Sequence, residues 1–196
     1  MKFISGNIYH VFNQGNNHQP IFLNDKDYKT FLNYSEKILL PHCTMLAYCL
    51  MPNHFHFLLH ANETCDKIVQ QGTLLLDPLT NGFRKLLSGY ARTFNDQHEK
   101  SGSLFRQKTK AKLLESSSLD YSLITFHYIH QNPLTAGLVK TLDDWDYSSF
   151  KDYAGKRNGT LCNKDLAHEL LDVNWKNFVD ETYRMLDNKK YLSGIY

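Results

Sequence analysis

Apolar and polar residues alternate along this chain with two different periods, which together predict a mixed set of strands and helices. Alternation with a period of two is typical of strands and occurs in residues 6–14, 43–51, 53–61 and 105–114. A period near 3.6 is typical of helices and occurs in residues 28–39, 79–94 and 118–132. This order predicts an α+β fold, in which helices pack on one face of a ferredoxin-like antiparallel sheet.

Two prolines are predicted to end helices. Pro41 ends the first helix, which Asn24 or Asp25 can cap at its other end. Pro133 disfavours the helical conformation in the residue before it, so the third helix is predicted to end at Asn132.

The pattern changes beyond about residue 140. Residues 145–150 are aromatic and turn-like, and two short amphipathic helices are predicted after them. We therefore expect a principal domain over residues 1–153 and a C-terminal helical extension over residues 154–196 that packs back against it. The inward-facing residues of the last helix are predicted to be Trp175, Phe178, Val179, Thr182 and Leu186.

The strand predicted over residues 53–61 carries two histidines separated by one apolar residue. Successive side chains of a strand point to opposite faces, so His54 and His56 share one face while Phe55, Phe57 and Leu59 share the other. Two adjacent imidazoles can form half of a metal site. The plainer alternative is that both histidines only hydrogen-bond to their neighbours.

A second pair of residues lies on the helix predicted over residues 118–132. Tyr128 and Asn132 are four residues apart, so they lie on one helix face, one turn from each other. A tyrosine can act as a covalent nucleophile, and an amide oxygen is a neutral ligand for a hard cation. The plainer alternative is that Tyr128 belongs to the core and Asn132 only ends the helix.

The two pairs suggest one chemistry when they are combined. Two imidazoles and an amide oxygen could bind Mg²⁺ or Mn²⁺ and leave positions for a substrate oxygen and water. Such an ion is a Lewis acid for a phosphoryl oxygen and would help to align and neutralise a tyrosine attacking a phosphodiester. The product would be a phosphotyrosine link that keeps the phosphodiester energy for a later joining step, without ATP.

Charge adds a local basic feature to this hypothesis. The net charge is only +2 with a pI of about 8.2, so any basic surface must be local. The strand predicted over residues 105–114 carries four cations on one face, a pattern suited to a phosphate backbone: Arg106, Lys108, Lys110 and Lys112. On the preceding helix, Arg84, Ser88 and Arg92 form a polar stripe. A solvated surface is the alternative for both features.

Composition points to a cytoplasmic protein. The N-terminus lacks the pattern of a signal peptide, and the longest apolar runs are too short to cross a bilayer. The four cysteines form no CxxC pair and no tight framework, so we expect reduced cysteines and neither disulfides nor a structural zinc site.

Several motifs, in order, resemble those of the REP-associated tyrosine transposases, which belong to the single-tyrosine HUH transposases. The similar segments are Tyr9–Asn17 (YHVFNQGNN), Pro20–Phe22 (PIF), Ala47–His56 (AYCLMPNHFH), Leu104–Lys108 (LFRQK), Tyr128–Val139 (YIHQNPLTAGLV) and Trp145–Phe150 (WDYSSF). The resemblance covers residues 6–153, and several motifs in order are more specific than any one of them.

The resemblance implies a metal-dependent transposase that nicks and joins single-stranded DNA, often beside a hairpin. It implies that His54 and His56 are metal ligands and that Tyr128 is the nucleophile, which stays linked to the 5′ end. The third ligand maps onto Asn132, with Gln131 as the alternative because related insertion-sequence transposases carry glutamine there. Asn16 and Asn17 would join the cationic residues in binding DNA.

Other functions stay open at this point. The chain could be a DNA-binding protein of the same fold without transposition activity, or a metal-dependent hydrolase of another substrate. The expected partner is single-stranded DNA with hairpin repeats, and the expected state is a monomer or a homodimer.

Overall fold

A computed structural model describes residues 1–114 and 119–185. Within these ranges, short 3-10 turns cover Asn16–His18, Glu63–Asp66 and Leu142–Asp144. In chain order the strands and helices are β1 (Ile8–Gln14), α1 (Asp25–Leu39), β2 (Cys43–Met51), β3 (His54–Ala61), β4 (Val69–Gln71), β5 (Leu74–Leu76), α2 (Pro78–Gln97), β6 (Lys110–Leu114), α3 (Leu119–Thr135), α4 (Phe150–Tyr153), α5 (Lys164–Leu171) and α6 (Phe178–Arg184).

The principal sheet has four antiparallel strands in the order β2-β3-β1-β6. Together with α1 and α2 it forms the βαββαβ arrangement, which confirms the predicted α+β, ferredoxin-like fold. The β4–β5 hairpin lies outside this sheet and was not predicted.

One face of the sheet is covered by α1 and α2. Phe31 of α1 packs on Phe55 and Phe57 of β3, with ring centroids 5.2 and 6.0 Å apart. The side chain of Asn24 accepts from the backbone of Asp27 in a capping box, as expected of a residue that caps this helix. The apolar stripe of β3 is therefore buried on this face, and the histidine stripe faces the other way.

The opposite face is covered by α3, so the prediction that helices pack on one face only was wrong. The α3 helix contacts β2 and β3, and it also contacts α5 and α6 of the C-terminal segment. Because it is enclosed between the sheet and this segment, residues around most of its circumference are buried.

The predicted end of α3 at Asn132 was also wrong, because the helix continues through Pro133 to Thr135. Proline cannot donate a hydrogen bond to the carbonyl four residues earlier, here that of Ile129. The Asn132 side-chain amide compensates, since its nitrogen lies 3.4 Å from that oxygen and 2.8 Å from the carbonyl oxygen of Tyr128. Residue 118, where this helix was predicted to begin, lies outside the described residues.

The fourth strand of the sheet is shorter than the predicted range 105–114. Its ladder begins at Lys110, while Phe105 only bridges Gly15, and the backbone nitrogen of Arg106 donates to the carbonyl of Gln14. Of the four predicted strand cations, only Lys110 and Lys112 therefore lie in the strand.

The described part of the C-terminal segment, residues 154–185, packs on α3 and on the outer edge of β2. The backbone of Cys162 forms an isolated parallel β-bridge with that of Met45 at this edge. Phe178 and Thr182 are buried, whereas Trp175 and Val179 are half-buried. Leu186 and the residues after it lie outside the described part of the chain.

The four cysteines, Cys43, Cys49, Cys65 and Cys162, are free and buried. None of the helices within residues 1–114 and 119–185 has both the length and the apolar character that crossing a bilayer requires.

Candidate metal and nucleic-acid site

His54 and His56 lie side by side on β3, on the face that α3 covers. Their strand partners on β1 are Gln14 and Phe12. The two imidazole rings are nearly perpendicular, at 89°, and their centroids are 5.0 Å apart. The strand period of two thus produces the shared face that the sequence predicted.

One ring nitrogen of each histidine in this pair contacts a neighbouring side chain. The Nδ1 atom of His54 lies 2.6 Å from the side-chain oxygen of Asn53, and the Nδ1 atom of His56 lies 2.9 Å from Nε2 of His10. Both Nε2 atoms are buried and have no hydrogen-bond partner among the described residues. The pair therefore has two buried nitrogens available to a ligand.

Burial keeps these imidazoles neutral. It lowers the pKa of His54 to about 4, although a side-chain contact with Asn132 partly opposes that change. Burial also lowers the pKa of His56 well below its ordinary value, helped by the neighbouring His10 and His54. Neutral imidazole is the form that binds metal ions.

Tyr128 projects from α3 toward the histidines. It is 5% exposed, and its ring meets the ring of His56 edge-on at 5.7 Å and that of His10 at 6.3 Å. One turn later, the Asn132 side chain lies close enough to His54 to affect its pKa. The structure thus brings together His54, His56, Tyr128 and Asn132.

Gln131, the alternative third ligand, is not part of this cluster. It is buried on the side of α3 that faces the C-terminal segment. Its side-chain nitrogen donates to the backbone oxygen of Thr182 at 2.5 Å. The amide oxygen available beside the histidines is therefore that of Asn132.

The donor set fits a divalent ion. Two unfilled imidazole nitrogens and a neighbouring amide oxygen are ligands that Mn²⁺ and Mg²⁺ accept. Within the described residues, no group of three or more His, Cys, Asp or Glu side chains could hold a metal ion. An ion at this site would thus depend on the amide oxygen or on substrate and water for its further ligands.

A cavity of about 250 Å³ lies in front of the histidine pair. Its wall includes Arg106, Lys108 and Lys110, together with Phe12 of β1. The Lys110 ammonium lies 5.9 Å from the centre of the Phe12 ring. Positive charge therefore surrounds the entrance to the histidines.

The other predicted cations, Lys112, Arg84 and Arg92, do not line this cavity. Lys112 lies opposite His10 in the β1–β6 ladder. Burial lowers the pKa of Lys112, and the neighbouring charge of Lys110 lowers it further. Arg84 lines a larger groove of about 940 Å³ between α2 and residues 102–109. Arg106 and Lys108 line both cavities. Arg92 is exposed on α2 and lines neither of them.

Asn16 and Asn17 are exposed in the turn that follows β1, near the same end of the sheet. The preceding Gly15 donates from its backbone to the carbonyl of Asn53, and a Cβ atom there would overlap the carbonyl of Gln19. Glycine at this position thus allows the turn to close against the residue that holds His54.

His10 and Asn53 belong to this site but were not predicted to do so. The strand pattern of β1 already places His10 on one face with Phe12. What the pattern does not give is the pairing of Phe12 with His56, which brings that face beside the histidine pair. The sequence indicates a role for Asn53 less strongly than for His10, because Asn53 only precedes His54 in a tight turn.

The fold and site together define a ferredoxin-like protein with a tyrosine, a histidine pair and a basic cavity on one face. No protein-family model matches the chain. A curated relative, the "Putative REP-associated tyrosine transposase" of Haemophilus influenzae, is 30% identical over 108 residues. The match covers 54% of this chain and 57% of the relative, so this chain spans little more than half of that protein.

A solved structure of a REP-associated tyrosine transposase bound to a REP hairpin is similar in fold. Its TM-score is 0.58 at 18% identity, and the match covers 84% of this chain and 87% of that one. A bacterial tRNA(His) guanylyltransferase-like protein in complex with ATP overlaps less, with a TM-score of 0.42 at 9% identity over 69% and 61% of the two chains. The resemblance to REP-associated tyrosine transposases that the motifs indicated is thus confirmed in sequence and in fold.

Proposed function

We propose that this chain is a transposase of the REP-associated tyrosine type, which cleaves and rejoins single-stranded DNA beside hairpin repeats. The observation that carries the proposal is that Tyr128 lies against His56, while the two histidines, each with an unfilled nitrogen, line a cavity whose wall carries cations. Similarity to a transposase whose structure contains a REP hairpin supports the same substrate class.

In this proposal His54, His56 and Asn132 hold Mg²⁺ or Mn²⁺, which when bound supplies Lewis-acid polarisation of a phosphoryl oxygen. The remaining chemistry belongs to Tyr128. Its hydroxyl oxygen attacks the scissile phosphorus and gives up its proton to water. The bond from phosphorus to the 3′ oxygen breaks, that oxygen takes up a proton, and the 5′ phosphate stays bonded to the tyrosine.

The protein's own residues would align this reaction. Tyr128 is held by burial between α3 and the sheet, so little rotational freedom is lost when the substrate binds. Arg106, Lys108 and Lys110 would neutralise phosphates on either side of the scissile bond. Attack on the phosphotyrosine by a 3′ hydroxyl reverses the first step and joins strands.

The larger groove beside α2 would accept the rest of the DNA strand. It shares Arg106 and Lys108 with the histidine cavity, so a strand could pass from one to the other over continuous positive charge. The half-buried side chains of Leu87 and Ala91 offer apolar surface for unpaired bases in this groove.

The test is covalent capture of labelled single-stranded DNA that carries hairpin repeats flanking the gene. We expect an adduct with Mn²⁺ or Mg²⁺ present and peptide mapping to find the DNA on Tyr128. Tyr128→Phe removes one oxygen and is expected to abolish the adduct while DNA binding persists.

Tyr121→Phe is the matched control, since Tyr121 lies two turns earlier on the same helix. It is expected to leave capture intact. An adduct on a tyrosine other than Tyr128 would contradict the assigned nucleophile. Hairpin binding without any cleavage would favour the alternative of a DNA-binding protein, and turnover of a small phosphoester alone would favour a hydrolase.

A further inference from the structure

His10 supports His56 from the neighbouring strand. It is 1% exposed, and its Nε2 atom lies 2.9 Å from Nδ1 of His56. The two rings are stacked, with centroids 5.1 Å apart and an angle of 22°. His56 therefore cannot rotate or shift without losing both the hydrogen bond and the stacking interaction.

Asn53 has the same relation to His54. Its side-chain oxygen lies 2.6 Å from His54 Nδ1, while its side-chain nitrogen faces the backbone oxygen of His18 at 3.5 Å. The carbonyl acceptor at His18 favours the orientation in which the Asn53 oxygen faces the imidazole. An amide oxygen can only accept a hydrogen bond, so Nδ1 of His54 must be the donor.

A neutral imidazole carries its proton on one of its two nitrogens. If Nδ1 of His54 donates to Asn53, its Nε2 atom keeps a lone pair. The same result follows for His56 if its Nδ1 donates to His10. Both lone pairs then lie on the buried Nε2 atoms that have no hydrogen-bond partner among the described residues.

We propose that His10 and Asn53 are positioning residues that hold His56 and His54 as the Nδ1-protonated tautomers, with both Nε2 lone pairs ready for a divalent cation. This inference rests on the proposed metal site and identifies the residues that prepare it. Hydrogen bonds behind a ligating histidine fix both its orientation and its tautomer.

The charges around the cavity favour this arrangement over the reverse one. If His10 donated to His56 instead, the His56 proton would sit on Nε2 as a buried donor without an acceptor among the described residues. His56 also belongs to the wall of the cavity that Arg106 and Lys110 line. Close to these cations, a nitrogen lone pair is electrostatically favoured over an N–H group.

The first test needs neither metal nor DNA. Two-bond ¹H–¹⁵N correlation spectra of the metal-free, ¹⁵N-labelled protein at neutral pH report which nitrogen of each histidine carries the proton. We expect protonated Nδ1 and bare Nε2 for both His54 and His56. Protonation of His56 on Nε2 would overturn the role of His10, and protonation of His54 on Nε2 would overturn that of Asn53.

The second test measures Mn²⁺ affinity by calorimetry in matched variants. His10→Met and Asn53→Leu remove the acceptors and are expected to weaken Mn²⁺ binding by about 10–100-fold. His10→Gln and Asn53→Asp keep an acceptor and are expected to restore most of the affinity. His42→Gln serves as a control, because His42 bonds to Thr64 away from the site.

The outcomes separate this inference from the proposed function. Unchanged Mn²⁺ affinity in folded His10→Met and Asn53→Leu protein would refute the positioning roles, even if the DNA is cleaved. Weakened affinity with the expected tautomers would support them, even if the protein cleaves no DNA. If the Met and Leu variants do not fold, the spectra of the unaltered protein still decide the matter.

Discussion

Two pairs of histidines lie in the interior around α3, and they differ in their surroundings: His54 and His56 are on β3 beneath the helix, and His127 and His130 are on the helix itself. His127 Nδ1 lies 2.8 Å from the hydroxyl of Thr182, and His130 Nε2 lies 2.7 Å from that of Ser149. Burial lowers the pKa of His127 to about 4 and that of His130 well below its ordinary value. As in the His54–His56 pair, one nitrogen of each ring has no hydrogen-bond partner in the described part of the chain.

The difference is what lies next to the second nitrogen. The rings of His127 and His130 pack against Phe178, at 5.8 and 5.5 Å, and His130 also lies against Tyr153. The His54–His56 pair instead meets a cavity with cations in its wall. A lowered pKa and an unfilled, buried nitrogen are thus shared by both pairs, and the adjoining cavity distinguishes the candidate metal site from a packed core.

Replacing each pair in turn should separate the two roles most strongly. His54→Ala with His56→Ala is expected to lower DNA cleavage on the order of 10³-fold or more, because electrostatic stabilisation of the transition state is removed. His127→Gln with His130→Gln should lower thermal stability and leave cleavage per folded molecule unchanged. Labelled-strand cleavage and circular dichroism measure the two effects, and full activity of the first variant, or of the protein in excess chelator, would refute the metal site.

The next largest effect should come from the four predicted strand cations, three of which line the cavity beside the His54–His56 pair. Neutralising Arg106, Lys108, Lys110 and Lys112 is expected to weaken all single-stranded DNA binding to a similar extent. The log–log salt dependence of binding should flatten by about 0.7 for each DNA phosphate that the protein no longer neutralises. Fluorescence anisotropy at several salt concentrations measures this slope.

Lys37→Gln provides the matched control, since Lys37 is exposed on α1, away from the cavity. It should leave the slope unchanged. If the quadruple variant keeps the original slope, these residues do not bind the DNA backbone.

The sequence predicted the His54–His56 pair because a strand's period is a local property. The hairpin order and the apolar stripe of β3 together fix which face the histidines occupy, whatever packs above them. Asn132 and Gln131 could not be separated in this way. Their difference depends on Thr182, a residue 51 positions from Gln131 that reaches it only through packing of the C-terminal segment.

The strand that carries the cations was predicted less accurately than the histidine pair. Alternating charge over residues 105–114 fits a long strand, yet Arg106 bonds instead to the end of β1 and the ladder starts at Lys110. Three of these cations, Arg106, Lys108 and Lys110, line the cavity, but the charge pattern overestimated the length of the strand that holds them. Charge patterns alone do not report where a backbone finds its hydrogen-bond partners.

Acid should destabilise the protein through both pairs in the same direction. The unfolded chain takes up a proton on each histidine near pH 6.5, but folded His54 and His127 do so only near pH 4. Unfolding therefore binds protons in this window, and stability is lost as the pH falls from 6.5 toward 4. Each group contributes a slope of at most about 1.4 kcal/mol per pH unit.

Urea unfolding of two single variants can test this and then tell the pairs apart. His54→Gln and His127→Gln should each reduce the pH slope by about one proton. At pH 7, Mn²⁺ should raise the free energy of unfolding of His127→Gln protein but not that of His54→Gln protein. Stabilisation of both by Mn²⁺ would place the ion somewhere other than the His54–His56 pair.

The smallest effect expected is that of a single hydroxyl in the packed pair. The Thr182 hydroxyl bonds to His127 Nδ1 and donates to the carbonyl of Phe178, four residues earlier in its own helix. Thr125 is an equally buried threonine whose hydroxyl, among the residues that the structure describes, has only the second kind of bond, to the carbonyl of Tyr121. Valine keeps the shape of both side chains, so the difference between Thr182→Val and Thr125→Val isolates the hydrogen bond with His127.

We expect the difference between the two variants to be about 1 kcal/mol in the free energy of unfolding, with DNA cleavage unchanged in both. Equal destabilisation would mean that this hydrogen bond adds no stability. A loss of cleavage in stable Thr182→Val protein would mean that the packed pair also influences the chemistry, and the contrast between the two pairs would then fail.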